Sequence, residues 1–172
     1  VALASEQGNA ATVFYTIHHI IVKANLFLIA AIVFRQAGQY DLRRIGGLYG
    51  LRPWLGLLFL VPALSLVGVP PLSGFWAKLL VLEEAIAQGR IAWTVIALIV
   101  SVLTLYSMMK IWMEAFWKSH PDATWSPPAV TRLGPAYAAT LALAALTLAI
   151  SLWPQALIGF SLDAAATLAQ ER

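Results

Sequence analysis

Leu64-Ser65-Leu66-Val67-Gly68-Val69-Pro70-Pro71-Leu72-Ser73-Gly74-Phe75-Trp76-Ala77-Lys78-Leu79-Leu80 decides the fold. It lies within an apolar run from 54 to about 87, a length that reads as a membrane helix. Gly68, Pro70, Pro71 and Gly74 interrupt that run near its middle. Gly68 can end one half-helix, and proline just after a helix end blocks continuation. Pro71 or Ser73 can start the next half. A break at membrane depth frees backbone groups that lipid cannot satisfy. It is tolerated only where protein or a water-filled cavity surrounds it. Just past the break stands Lys78, a charge near mid-bilayer. A broken helix that carries a buried ionisable residue points to an ion site.

The rest of the chain fits that setting. Of 172 residues, 60% are hydrophobic and 11% charged, and the mean hydropathy is +0.78. A soluble domain carries about a quarter charged residues. The chain therefore reads as an all-α polytopic membrane protein with about four transmembrane helices, the second one broken near its middle. A net charge of +3, interleaved with apolar runs, does not fit nucleic-acid binding. The chain has no cysteine, which excludes disulfides and a thiolate metal site. It holds no Walker loop, dinucleotide fingerprint, His-Glu-x-x-His or nucleophile elbow. No catalytic residue, cofactor or metal is expected, and the reading is a transporter subunit rather than an enzyme.

Spans are expected at 12–33, at 54–68 with 72–88 as the two halves of the broken helix, at 91–117 and at 133–152. Residues 1–11 are expected to form a loop feeding the first span. They lack the charged and apolar regions of a signal peptide, and the start at Val1 is expected to belong to a loop inside a longer protein. The transmembrane portion then occupies 12–155, and 156–172 is a tail with an amphipathic piece around 160–169. The connection 34–53 carries Arg35, Arg43, Arg44 and Arg52, and the connection 118–132 carries Lys118 and Arg132. The other side carries Arg90 and the terminal Arg172. The bias of basic residues places both richer loops in the cytoplasm and both chain ends outside, in the inner (plasma) membrane. Trp54, Trp93, Trp117 and Trp153 fall near span ends, as an aromatic belt requires. Trp76 does not, and is expected to pack against the break.

Several polar residues lie inside these spans. Lys23 is about eleven residues from either end of the first span, ~16 Å at ~1.5 Å per residue, too deep for its stem to reach water easily. Tyr15, His19 and Lys23 are spaced at i, i+4, which stacks them on one face. Two titratable groups on one intramembrane face suggest a proton path. His18 and Asn25 lie on a second face; His18 is either a satisfied core hydrogen-bond partner or a relay. Lys78 sits in the first turns of the second half-helix, where a buried amine can load and release a proton. It can also cap the carbonyls of the first half-helix. Thr104, Ser107, Lys110 and Glu114 share a polar face, and Lys110 with Glu114 can form an i, i+4 ion pair or join the relay. Glu83 and Glu84, near the outer end of the broken span, are either a solvated end or a proton exit or cation access group.

Three motifs then stand together: Tyr15-x-x-x-His19-x-x-x-Lys23-Ala24-x-Leu26-Phe27-Leu28, Asp41-Leu42-Arg43-Arg44-Ile45-Gly46-Gly47-Leu48, and Pro70-Pro71-Leu72-Ser73-Gly74-Phe75-Trp76-Ala77-Lys78. In this order the chain resembles the proton-conducting antiporter-like subunit family. That family includes the large subunits of Mrp-type multisubunit sodium/proton antiporters and the membrane-arm subunits of respiratory complex I. The motif forms are most similar to the Mrp D subunits, over roughly residues 10–120. The resemblance implies two inverted repeats, each with a broken helix, of which this chain corresponds to the last four helices. It implies that Lys78 is the key lysine of the second broken helix, and that Lys23 and His19 belong to a central hydrophilic axis. The first repeat, with its glutamate–lysine pair, does not correspond to any part of this chain. The expected function is proton translocation in a monovalent cation (Na+)/proton antiporter, relayed through Lys78, Lys23, His19 and water. The expected partners are the other subunits of that complex, the lipid bilayer, protons and Na+. The alternatives are a proton-pumping subunit of complex I and a truncated, non-transporting scaffold.

Overall fold

The computed structural model describes residue 3, residues 5–126 and residues 133–170. Arg132 and Arg172, which entered the charge reading, lie outside the described residues. All regular structure among the described residues is helical. The central element is α1 (Glu6–Ala37), against which α3 (Pro53–Val67), α4 (Ser73–Ala87), α6 (Gly134–Leu152) and α7 (Pro154–Gln170) pack. A short α2 (Leu48–Leu51) precedes α3, and α5 (Ile91–Trp112) continues into a π-helical turn at Met113–Trp117.

Helix α1 begins six residues earlier than the span expected at 12–33, because Ser5 caps it. The Ser5 side chain accepts from the Gly8 backbone N–H at 2.9 Å, and Glu6 lies in the first turn. Residues 6–11 of the expected loop are therefore helical. At the other end Gly38 takes φ 80, and its N–H bonds to Phe34 O at 2.7 Å. Phe14, His18, Val22, Asn25, Ile29, Ile32 and Gln36 form the buried stripe of α1, spaced three or four residues apart. The tail also exceeds its expected extent, since α7 starts at Pro154, a residue suited to a first helical turn.

Helices α1 and α6 and the stretch Ile91–Trp117 are each long and apolar enough to cross a membrane. Helices α3 and α4 have 15 residues each, ~22 Å, and each falls short of the ~30 Å hydrocarbon core. A hydrophobic cluster of Ile29, Ile32, Ile45, Leu48, Leu55, Phe59 and Phe116 fills the end where the basic loops lie. There the two connections join: Gly47 N–H donates to Lys118 O at 2.6 Å, and Lys118 Nζ donates to Leu42 O at 3.0 Å. Helix α6 buries Thr140, Ala144, Thr147 and Ser151, a stripe of small residues that lets helices approach closely. Helix α5 buries no residue at all.

Candidate functional site

The site is built around the break between α3 and α4. Gly68 closes α3 with φ 91, and its N–H bonds to Leu64 O and Ser65 O, both at 3.0 Å. A Cβ on Gly68 would lie 2.8 Å from Lys78 Cδ. Gly74 is tighter still. A Cβ there would lie 1.7 Å from Ser65 O, so the first turn of α4 rests directly on the backbone of the last turn of α3. Pro70 and Pro71 bridge the two with no N–H left to satisfy.

Lys78 reaches back across this break. Its Nζ donates to Val67 O, one of the carbonyls that the end of α3 leaves without an intrahelical partner. It also donates to Ser101 Oγ of α5 at 2.8 Å. The capping expected of Lys78 is thus observed, and it leaves the amine half-buried at a cavity wall. Sequence reasoning missed Ser101. Its signal is a hydroxyl three residues before Thr104, one step further along the polar face of Thr104, Ser107 and Lys110.

A cavity of about 470 Å³ joins the expected residues. Tyr15, His19, Lys23, Lys78, Ser101 and Thr104 all line it, and it extends past Leu3, Arg90 and Trp93 at the end away from the basic loops. The Tyr15 and His19 rings meet tilted, with centroids 4.2 Å apart, on the one face that their i, i+4 spacing predicts. The Nδ1 of His19 is buried with no protein partner among the described residues. Lys23 also lines a second cavity of about 430 Å³, which runs to Gln39, Tyr40 and Leu42 at the basic-loop end. It is the one residue common to both linings.

His18 turns away from this cavity. It is 2% exposed, and its Nδ1 lies 2.9 Å from Ser73 Oγ. Asn25, on the same buried stripe, finds no protein partner for either amide atom among the described residues. Trp76 does not stay at the break alone: its Nε1 donates to Ser151 O of α6 at 3.2 Å.

The remaining candidates lie elsewhere. Glu114 pairs with Lys118, not with Lys110. The pair closes the π-helical turn at Met113–Trp117, where Lys118 Nζ is also held by Leu42 O. Lys110 is exposed and lines neither cavity. Glu83 is exposed too, whereas Glu84 accepts hydrogen bonds from Ser5 Oγ and from Gln88 Nε2, which fastens the end of α4 to the start of α1.

The family described as NADH:quinone oxidoreductase/Mrp antiporter, TM matches residues 1–104. The chain belongs to this family. Within this NADH:quinone oxidoreductase/Mrp antiporter family, it is 38% identical to the D subunit of the Na(+)/H(+) antiporter of Alkalihalophilus pseudofirmus over 156 residues, 91% of this chain and 31% of that relative. A structure of the Mrp complex from Dietzia sp. superposes with a TM-score of 0.85 at 34% identity, covering 97% of this chain and 39% of the matched one. Respiratory complex I from Thermus thermophilus gives a TM-score of 0.67 at 34% identity, covering 88% and 34%. The chain thus spans about a third of the length of these relatives. The family and the apolar helices make it part of a multipass membrane protein.

Proposed function

We propose that this chain forms part of a proton-translocating subunit of a multisubunit Na+/H+ antiporter. A proton moves between Lys23, His19, water in the cavity and Lys78. The carrying observation is that these three side chains, from two helices, share one cavity wall. Lys78 holds its proton toward a bare helix end and a serine hydroxyl, so a neighbouring charge that comes or goes can release it. Lys23 stands where a proton can be passed between the two cavities. The other subunits of the complex, lipid, protons and Na+ are the partners, in the inner (plasma) membrane with the two basic loops in the cytoplasm.

The test is Na+-dependent proton movement in everted membrane vesicles that hold the whole complex. Lys78→Ala is expected to abolish transport while leaving the complex assembled. Lys110→Ala, at an exposed position that lines neither cavity, is expected to keep it within about twofold, as surface substitutions do. Near-normal transport in Lys78→Ala would sink the assignment. The likeness to complex I supports a second reading, a pumping subunit powered by redox chemistry elsewhere. Proton movement that ignores Na+ and follows quinone reduction, with different co-purifying subunits, would favour it.

A further inference from the structure

A chain of buried hydrogen bonds lies behind the break, on the side away from the cavity. Gly74 N–H donates to Ser65 Oγ at 3.2 Å, Ser65 Oγ lies 2.9 Å from Ser73 Oγ, and Ser73 Oγ lies 2.9 Å from His18 Nδ1. His18, Ser65 and Ser73 are each no more than 2% exposed. We propose that His18, Ser73 and Ser65 form a clasp that sets the register of the two half-helices and so positions Lys78, with His18 acting as a neutral acceptor and not as a proton carrier. The inference rests on the reading of Lys78 as the proton-bearing group.

The direction of the chain carries the argument. An amide N–H can only donate, so Ser65 Oγ accepts from Gly74. The Ser65 hydroxyl then has one acceptor among the described residues, Ser73 Oγ, and the Ser73 hydroxyl has His18 Nδ1. The Gly74 N–H and the Ser65 and Ser73 hydroxyls each find an acceptor when the bonds run one way, Gly74 to Ser65 to Ser73 to His18, and aligned bonds polarise one another. That direction requires a lone pair on Nδ1, hence the proton on Nε2 and an uncharged ring. A proton added to Nδ1 would turn the Ser73 hydroxyl round and leave the Ser65 hydroxyl without an acceptor. The titratable groups around His18 are His19, with ring centroids 5.4 Å apart, on α1, and Lys78 on α4.

The clasp acts on Lys78 by geometry. Ser65 and Val67 lie in the last turn of α3; Ser73 and Gly74 begin α4, one turn before Lys78. A shift of α4 against α3 that lengthens the Ser65–Ser73 contact also moves the Lys78 stem relative to Val67 O. His18 fixes both from α1, the helix that carries His19 and Lys23.

The experiment uses the whole complex in everted vesicles, with assembly followed on native gels. In His18→Asn, Oδ1 takes roughly the place of Nδ1 and accepts from Ser73 but does not titrate. It is expected to keep transport within about twofold and the pH optimum unchanged. His18→Leu is expected to lose about tenfold, and Ser73→Ala about threefold. Both should move the pH optimum of transport by about half a unit or more, since Lys78 then sits in altered surroundings. A merely structural role would change the amount of complex and not the optimum. His18→Asn as inactive as His18→Leu would overturn the clasp in favour of a relay. His18→Leu and Ser73→Ala at wild-type rate and optimum would overturn it outright. Where His18→Leu does not assemble, the retained activity of His18→Asn and the shifted optimum of Ser73→Ala decide. Lys78→Ala separates the two readings: transport that survives it strikes the role of Lys78, whereas failure of the clasp variants beside an inactive Lys78→Ala strikes the clasp alone.

Discussion

Gly74 is the residue on which most of the site depends. The ångström-scale contact between α3 and α4 exists because it has no side chain. Gly74→Ala would force a methyl group onto the Ser65 carbonyl, a backbone atom that cannot swing aside. The two half-helices would have to part, at a cost of at least ~1–3 kcal/mol by analogy with overpacked cores. The expected outcome is less assembled complex and a lower melting temperature for what remains; unchanged melting would show that the contact is looser than it stands here. Gly68, Gly74, the two prolines and Lys78 were legible in the sequence because glycine and proline punctuate an apolar run with few other meanings. The bonding of Ser65 and Ser73 to each other and to His18 was not, since a serine in a helix most often bonds its own backbone, as Ser151 and Ser161 do here. Only the fold brings a histidine 55 residues away against them.

Among elements, α6 packs on α1 through residues of modest size. Thr140, Thr147 and Ser151 turn their hydroxyls back onto the carbonyls of Tyr137, Leu143 and Thr147, which leaves carbon surface facing the neighbouring helices. Ala144 is 3% exposed within that stripe. Ala144→Leu is expected to wedge α6 away and to destabilise by ~1–3 kcal/mol. Thermal unfolding of the detergent-purified complex reads this directly, and an unchanged midpoint would mean that α6 has room to spare. The spans themselves were legible from hydropathy. Their ends were less so, because caps such as Ser5 and Gly38 extend a helix beyond its apolar part. The partner of Glu114 was mistaken because lysines stand four residues to either side, and only the fold, which holds Lys118 Nζ beside the Leu42 carbonyl, decides between them.

For the whole molecule, the most telling feature is that α5 is docked against α3 and α4 and is otherwise bare. Val95, Ile99, Val102, Leu103 and Tyr106 are all exposed, a surface suited to lipid or to other apolar helices. Leu103, 58% exposed, lies near the middle of Ile91–Trp117. Leu103→Arg is expected to oppose insertion by ~2.5–3.5 kcal/mol. A glycosylation-mapping assay of the span would show a smaller inserted fraction, and full insertion would argue that this face already borders water. No reading of single helices could reveal the two cavities, because each is walled by residues from several of them.

Those cavities also have an electrical side. Water filling both would carry the potential of each bulk phase inward, as two conductors do when brought toward a thin insulator. Lys23, exposed in this chain, is where the two linings meet, and only with the rest of the subunit packed over it would it be that insulator. Most of the transmembrane voltage would drop across the length of one side chain, instead of across some ~30 Å of hydrocarbon. A proton stepping past Lys23 would take up most of the ~2.3 kcal/mol that each 100 mV provides per charge. In that arrangement the membrane potential bears on a single amine.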